Sequence, residues 1–284
     1  MALYDLVRKN DQVSSVENVM FDHNMIGAIL NSASHPSIWQ PPSIPEKKTW
    51  MSFLKNGHID NPQFNGQIVE SWRRCLNSEV DPALAICNKF DSIKRLESRS
   101  EKLIHLSKPL LDKLYLCLQS VEFIIVLADN QGHVLRTIGS IKVLNRAEKL
   151  RFEPGADWSE ESVGTNAIGT ALALEHPVQV TGTEHYCESH HLWTCSTAPI
   201  RNHNGEIIGF LDISGPRECA APHLLALIVA TVQAIENRIL LEDSHHKLNE
   251  IVSYWDVIVD SISEGIITFN SQGIITGVNE VAAK

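Results

Sequence analysis

The chain has 284 residues, and its 34 acidic and 24 basic side chains give a formal charge of −10. This acidic balance argues against a nucleic-acid-binding surface, because phosphate contacts need a basic face. Six widely spaced cysteines and the lack of a signal-like N-terminal segment are typical of a cytoplasmic protein with reduced thiols. The longest apolar run, around Leu224–Ala230, is shorter than a membrane span needs, so we expect no membrane partner.

The N-terminal part of the chain is predicted to be an arm followed by helices. Closely spaced prolines in His35–Pro45 prevent a helix or a central strand, so residues 1–48 are interpreted as an arm or linker. Apolar residues at helical spacing predict a helical region over residues 49–119, with a kink or restart at Pro109. Trp72 lies on the apolar side of its helix and is predicted to be core. The two arginines after it are expected to be exposed or paired with acidic residues of the next domain.

Residues 120–220 switch from the helical period to short β-branched runs separated by turns. The predicted strands are Glu122–Ala128, His133–Ile138, Val178–Val180, Trp193–Ile200 and Ile207–Ile213. A helix is predicted over Ser162–Leu174, after a loop. The predicted fold class is therefore α+β, with an antiparallel sheet flanked by helices.

A long helix is predicted over residues 221–262, and its second half carries an apolar heptad repeat. The predicted seam consists of Leu241, His245, Leu248, Val252, Trp255 and Val259. A seam sustained over several heptads favours a two-helix coiled coil and hence a homodimer. The alternative is a helix that packs on its own domain.

Residues 263–284 contain a predicted hairpin and a few helical residues, after which the sequence stops. A lone hairpin is marginally stable in water because it has nothing to bury its apolar side against. We therefore expect these residues to be the start of a further domain that continues beyond Lys284.

A cluster of cysteines and histidines precedes and enters the fourth predicted strand. Cys187, His190, His191 and Cys195 could bind zinc or iron, but the paired C-x2-C spacing of structural zinc sites is absent. The favoured interpretation is a loop that lines a pocket, with no metal. The alternatives are a metal site formed by these four residues and a redox-sensing pair of Cys187 and Cys195.

The sequence contains no recognisable catalytic motif. Gly164–Thr170 is glycine-rich but lacks the Gly-Lys-Ser/Thr of a phosphate-binding loop, and there is no G-x-S-x-G elbow. No pair of carboxylates can be assigned acid and base roles from spacing. The sequence therefore favours a protein that is not an enzyme, and it assigns no cofactor.

Several long motifs, in a consistent order and spacing, carry a family resemblance over residues 50–240. They are Trp50-x-x-Phe53-x-x-x-Gly57, Glu70-Ser71-Trp72-Arg73-Arg74-Cys75, Gly155–Glu161, Gly164–Leu172, Glu184–Cys187 and His191–Ile200. In these motifs the chain resembles the sensory N-terminal part of sigma-54-dependent transcriptional activators of the acetoin-catabolism regulator type. The final hairpin, with Asn279, resembles the opening of a PAS domain.

The resemblance implies a GAF sensory domain over residues 120–220, in which a small effector binds between one face of the sheet and its loops. The effector would be acetoin or another small carbonyl compound, alcohol or diol, and its binding would bias the long helix. An ATPase that contacts sigma-54 RNA polymerase and a DNA-binding domain would lie downstream. The rival interpretations are the metal or redox sensor, a GAF-fold thiol enzyme that acts on an oxidised thioether, and a structural dimerisation module.

The predicted effector site combines apolar walls with a few polar groups. Its residues are Trp158, Asn166, His185, Trp193, Cys195 and Ser196. The two indoles would form the walls of a small pocket. Asn166, His185 and Ser196 would orient a carbonyl or hydroxyl group through hydrogen bonds.

Overall fold

The computed structural model describes residues 44–59, 64–83, 86–118 and 121–284. The predicted N-terminal arm, residues 1–48, lies outside the described residues except at its end. The described chain forms two compact units, residues 44–240 and residues 241–284. The helical region predicted over residues 49–119 therefore belongs to the same unit as the sheet.

The centre of the first unit is an antiparallel sheet of five strands. Its strands are β1 (Ile124–Asp129), β2 (Val134–Gly139), β3 (Val178–Thr181), β4 (Trp193–Arg201) and β5 (Ile207–Pro216). They lie in the order β2–β1–β5–β4–β3, and each predicted strand is confirmed by an observed strand that overlaps it. The side chains of Asp129 and Asn202 close the two hairpin turns, since each accepts backbone N–H groups two and four residues further on.

Helices precede, interrupt and follow the sheet. They are α1 (Lys47–Asn56), α2 (Gly66–Asn77), α3 (Ile93–Arg99), α4 (Glu101–Leu118), α5 (Ile141–Glu148), α6 (Glu160–Val163), α7 (Ala167–Leu174) and α8 (Pro222–Ser261). Helix α4 continues through Pro109, and the break in this region lies at Ser100 instead. The predicted helix Ser162–Leu174 is divided at Gly164, whose φ of 73° lies in the left-handed region that favours glycine.

Side chains alternate across the sheet, so its two faces can differ completely. One side, which we call the aliphatic face, carries Ile125, Leu127, Ile200, Leu211 and Ile213. Helices α4 and α8 cover it, and each large aliphatic side chain buried there contributes about 1.5–3 kcal/mol to folding. The other side, which we call the loop face, carries Val126, Cys195, Thr197, Asp212 and Ser214. Helices α2 and α7 and the segment 182–191 pack on this second side.

Helix α8 joins the core through its first half. The residues that pack on the aliphatic face are Leu224, Ile228, Val232, Ile235 and Ile239. Within the described residues, α8 is the single helix long and apolar enough to cross a membrane by length and composition. This differs from the expectation that no apolar run is long enough. The apolar stretch is 33% buried in the domain, so packing on the aliphatic face accounts for part of its apolar character.

The second unit, residues 241–284, contains the end of α8 and a hairpin. The strands of the hairpin are β6 (Ile267–Phe269) and β7 (Ile275–Val278). The Asn279 side chain is buried, and its amide donates hydrogen bonds to the carbonyl oxygens of Val259 and Glu264. These bonds tie the hairpin to the end of the helix.

The predicted seam lies at the surface of this second unit. Leu241 and Trp255 are 59% and 60% exposed, although both are large apolar side chains. His245 is exposed, whereas Leu248, Val252 and Val259 are half-buried. Exposed apolar side chains at heptad spacing are available to a partner helix, and the dimer itself stays a prediction.

Candidate functional site

Two tryptophans from the N-terminal helices hold the segment that leads into β4. The Trp50 indole N–H in α1 donates to the carbonyl oxygen of Tyr186 at 2.9 Å, and that of Trp72 in α2 donates to Glu184 at 2.7 Å. Trp72 is fully buried, which confirms its predicted core position. The segment 182–191 is thus fixed from outside the sheet by contacts that span more than a hundred residues of sequence.

A buried carboxylate ties three helices together on the loop face. The Arg74 guanidinium in α2 makes a two-point contact with Glu160 in α6, with N–O distances of 2.6 and 2.9 Å. Ser71 and Thr170 donate to the same carboxylate at 2.5 and 2.8 Å. The hydrogen bond to Glu160 raises the pKa of Arg74. One of the two arginines after Trp72 therefore pairs with an acidic residue of the sheet domain, as the sequence predicts.

A chain of packed rings lies beside the segment 182–191. The Phe152 and Trp158 ring centroids are 3.8 Å apart, and Trp158 packs on His190 at 5.4 Å. His190 in turn packs edge-on against His185 at 5.8 Å. All four side chains are buried, so these rings form an apolar wall that also contains hydrogen-bonding atoms.

His185 is held as a neutral ring with a fixed tautomer. Its Nδ1 lies 2.9 Å from the carbonyl oxygen of Gly182, so Nδ1 carries the proton and donates it. Burial, helped by the neighbouring His190, lowers the pKa of His185 to about 3. The ring therefore offers an acceptor at Nε2 over the whole physiological pH range.

Trp193 and Cys195 both lie on the loop face of β4, and their membership of an effector site stays a prediction. The Arg146 guanidinium of α5 lies 4.6 Å from the Trp193 ring centroid, a cation–π contact that covers this indole. Cys195 pairs with Ser214 across the sheet. Burial, with a contribution from Asp212, raises the pKa of the Cys195 thiol well above its ordinary value. The group therefore stays a neutral thiol, which is a poor nucleophile because the thiolate is the reactive form.

The sequence analysis missed a buried carboxyl group at the centre of the loop face. Asp212 is 1% exposed and accepts hydrogen bonds from Thr197 at 2.7 Å and Ser214 at 2.6 Å. Burial raises the pKa of Asp212 to about 7, although both hydrogen bonds oppose the shift. The available signal was an acidic residue inside the predicted strand Ile207–Ile213, which alternation places on the opposite face from Leu211 and Ile213.

Two of the predicted effector-binding residues, Asn166 and Ser196, make hydrogen bonds within the fold. The Asn166 side chain caps α7 by accepting the Gly169 N–H at 2.9 Å, and its amide donates to Trp158 and Gly164 carbonyl oxygens at 3.0 and 2.9 Å. It shapes the turn before α7 and has both of its donors occupied.

Ser196 lies on the aliphatic face and not with the other predicted site residues. Its hydroxyl accepts a hydrogen bond from Gln179 at 2.9 Å. Because neighbouring residues of a strand point to opposite faces, Ser196 and Cys195 cannot line one pocket. The prediction that placed Ser196 in the effector site is therefore wrong.

The structure does not gather the residues of the metal alternative. Cys195 lies on the sheet, whereas the Cys187 thiol lies 3.7 Å from the carbonyl oxygen of Asp81. In the described parts of the chain, no three His, Cys, Asp or Glu side chains are close enough to share a metal ion, so Cys187, His190, His191 and Cys195 form no such group. Burial raises the pKa of Cys187 to about 12, which also disfavours redox or enzymatic thiol chemistry.

A surface cleft of about 630 Å³ opens beside the ring cluster. Its lining includes Ile44, Lys47, Thr183, Glu188, His191 and Arg217. His191 lies between this cleft and the buried cluster, since its Nε2 donates to the carbonyl oxygen of His185 at 3.2 Å and its ring packs on Trp50.

The fold is GAF-like, with an antiparallel sheet, covering loops and a long C-terminal helix. A chain in the crystal structure of the E. coli DhaR(N)–DhaL complex has this fold, with a TM-score of 0.72 and 20% identity, over 77% of this chain and 76% of that chain. A family model described as "MimR, N-terminal domain" matches residues 44–237. The chain belongs to this family.

Its relatives are bacterial transcriptional activators. The chain is 39% identical over 215 residues to the acetoin dehydrogenase operon transcriptional activator AcoR of Bacillus subtilis, which covers 74% of this chain and 35% of the relative. It is 27% identical over 193 residues to the propane 2-monooxygenase operon transcriptional activator MimR of Mycolicibacterium smegmatis. This match covers 66% of this chain and 32% of the relative. The predicted resemblance to acetoin-type regulators is confirmed, and the chain spans about a third of the length of these relatives.

Proposed function

We propose that residues 44–240 sense a small uncharged effector on the loop face and thereby control transcription. The observation that carries this proposal is the contrast between a sheet face lined by aromatic and buried polar groups and an opposite face that is aliphatic. Ligand sites combine apolar walls with a few placed polar groups. The regulatory relatives support the same role.

The effector is uncharged because the buried groups that would meet it carry little charge. His185, with a pKa of about 3, and the Cys195 thiol, with a raised pKa, are neutral at pH 7, and burial keeps Asp212, with a pKa of about 7, partly protonated. A charged ligand buried among such groups would lack a compensating charge, which is costly. A small alcohol, diol or carbonyl compound, with acetoin as the example given by the relatives, fits this face better.

The signal passes to the rest of the protein through helix α8. Its first half packs on the aliphatic face, and its second half presents the seam of Leu241, His245, Leu248, Val252, Trp255 and Val259. We propose that two copies pair through this seam. Effector binding then needs to favour one arrangement of the helices by roughly 1–3 kcal/mol, which is a typical coupling energy.

The remaining parts of the proposal concern the full-length protein. Residues 263–284 would open a PAS domain, and the further length found in the relatives would hold the ATPase and DNA-binding domains. The full-length protein would bind DNA and activate sigma-54 RNA polymerase in the cytoplasm, with no membrane partner and no catalysis by the sensory region itself.

The effector proposal is tested by thermal unfolding of the chain in the presence of small alcohols, diols and ketones, and separately with zinc and iron. A bound effector at 100 times its dissociation constant stabilises the protein by about 2.7 kcal/mol. We expect Trp193→Leu on the loop face to abolish this stabilisation and Ser196→Ala on the aliphatic face to retain it. Stabilisation by a metal alone, lost in Cys187→Ser and Cys195→Ser, would contradict the proposal.

The dimer is tested by sedimentation of a double variant, Leu241→Asp with Leu248→Asp. Burying these carboxylates in a helix interface costs several kcal/mol, so the variant should be a monomer. Tyr254→Asp with Val257→Asp provides the matched control, because both side chains are exposed and lie at heptad positions away from the seam. Equal masses for the two double variants would exclude the seam as the interface.

A further inference from the structure

Two buried polar atoms in the ring cluster have no hydrogen-bond partner among the described residues. They are the indole Nε1 of Trp158 and the Nε2 of His185, and the two side chains are 3% and 1% exposed. The comparable indole N–H groups of Trp50 and Trp72 both donate to backbone carbonyl oxygens. An unpaired buried polar atom opposes folding, so a pair of them in one cluster points to a ligand that satisfies both.

The two unpaired atoms have opposite hydrogen-bonding roles. The Trp158 N–H can only donate. The Nδ1 of His185 already gives its proton to the Gly182 carbonyl oxygen at 2.9 Å, so its Nε2 has a lone pair and can only accept. Burial keeps the pKa of His185 at about 3, and the ring does not gain a second proton at neutral pH.

Both rings pack on the ring of His190. The centroid of Trp158 lies 5.4 Å from that of His190, and the centroid of His185 lies 5.8 Å from it. Phe152 stacks on the other side of Trp158 at 3.8 Å, so the cluster also supplies apolar contact area. The cluster therefore contains an unpaired donor, an unpaired acceptor and aromatic carbon on rings that share His190 as a neighbour.

We propose that Trp158 and His185 select a hydroxyl group on the effector. The hydroxyl oxygen accepts the Trp158 Nε1–H, and the hydroxyl proton is donated to His185 Nε2. A carbonyl oxygen satisfies Trp158 but leaves His185 without a donor, because a carbonyl oxygen cannot donate. This inference rests on the proposed effector function and narrows it to compounds that carry at least one hydroxyl group.

The test uses four compounds with the same four-carbon skeleton: butan-2-ol, 3-hydroxybutan-2-one, butan-2-one and butane-2,3-dione. Their dissociation constants are measured by isothermal titration on the full chain. We expect the two hydroxyl compounds to bind at least about tenfold more tightly than the two compounds without a hydroxyl, since a buried acceptor left unpaired is penalised.

Two variants assign this preference to the two side chains. Trp158→Phe keeps a ring between Phe152 and His190 but removes the N–H, so the hydroxyl compounds should bind about tenfold more weakly. The ligand-free melting temperature should not fall, because the removed N–H had no partner. His185→Asn retains a donor for the Gly182 carbonyl oxygen and removes the Nε2 acceptor, so it should abolish the preference for hydroxyl over carbonyl compounds.

Trp72→Phe is the matched control, because it removes an indole N–H that does have an acceptor, the Glu184 carbonyl oxygen. It should lower the ligand-free melting temperature and leave the ratio of dissociation constants unchanged. Equal binding of alcohol and ketone by the unmodified chain, or unchanged hydroxyl binding in Trp158→Phe, would overturn this inference and leave the effector proposal standing. Binding of none of the four compounds would overturn this inference, and only a lack of stabilisation by every small alcohol, diol and ketone tested by thermal unfolding would overturn the effector proposal as well.

Discussion

The two faces of the central sheet are packed in opposite ways. The aliphatic face meets α4 and α8 through leucine, isoleucine and valine side chains. The loop face and the elements packed on it contain all the buried cysteines and the buried ionisable groups of Glu160, Glu184, His185 and Asp212. One sheet thus separates a mainly aliphatic core from a core that also contains buried ionisable groups.

This difference indicates what each face does. Buried aliphatic area stabilises the fold in proportion to its size and needs no directional partner. A desolvated polar group opposes folding unless it is hydrogen-bonded, so a face rich in such groups is expected where a protein binds something. We therefore assign support of helix α8 to the aliphatic face and recognition to the loop face.

The largest expected loss of stability comes from truncating a buried side chain that packs on the loop face. Trp72→Ala should cost roughly 3–5 kcal/mol, because it removes a fully buried indole and its hydrogen bond to the Glu184 carbonyl oxygen. Urea denaturation measures this loss, and titration of the folded variant measures effector binding. Leu211→Ala on the aliphatic face should cost roughly 2–5 kcal/mol but leave effector affinity intact. Loss of affinity in both variants would remove the functional distinction between the faces.

The next effect is a pH dependence that originates at the loop face. Because the pKa of Asp212 is about 7 in the folded protein and near its ordinary value in the unfolded chain, the native state holds a proton that the unfolded state releases. The contribution of Asp212 to stability therefore falls between about pH 4 and pH 7, by up to about 4 kcal/mol at 1.36 kcal/mol per pKa unit.

Asp212→Asn should remove this fall, because the amide resembles the protonated carboxyl group. Stability of the variant and of the unmodified chain is compared by urea denaturation at pH 5 and pH 8. We expect the free energy of unfolding of Asp212→Asn, relative to that of the unmodified chain, to be higher at pH 8 than at pH 5. A difference that is the same at both pH values would show that Asp212 does not titrate in this range.

The smallest expected loss of stability comes from Asn166, a polar residue that caps a helix packed on the loop face. Asn166→Ala should cost about 0.5–2 kcal/mol through loss of the cap of α7. Asn65 caps α2 from an exposed position and makes one side-chain bond to the Gln67 N–H, so Asn65→Ala should cost less. Equal losses in thermal unfolding would indicate that the additional Asn166 bonds to Trp158 and Gly164 contribute nothing.

Local patterns in the sequence were sufficient for most of the fold. The strands follow from β-branched runs and turn residues, and Asp129 and Asn202 close the turns where the sequence places them. The eight-residue helix Ile141–Glu148 was missed, because its pattern is too short for a period to be distinguished. The break at Gly164 was missed because its left-handed φ depends on the surrounding packing.

The site was less predictable because it depends on contacts between distant residues. Spacing alone could not show that Trp50 and Trp72 donate to the segment 182–191, or that Arg74 reaches Glu160. Ser196 was misplaced for a simpler reason: strict alternation along β4 separates it from Trp193 and Cys195. Applying that alternation to β5 would also have identified Asp212.

Hydrogen exchange of backbone amides shows most directly whether the effector binds the loop face. Exchange is compared without ligand and with the tightest-binding compound of the four-carbon series at saturation. We expect slower exchange in the segment 182–191 and in the first turn of α7, with α4 on the aliphatic face unchanged. Protection confined to α4, with no change in the segment 182–191, would contradict binding on the loop face.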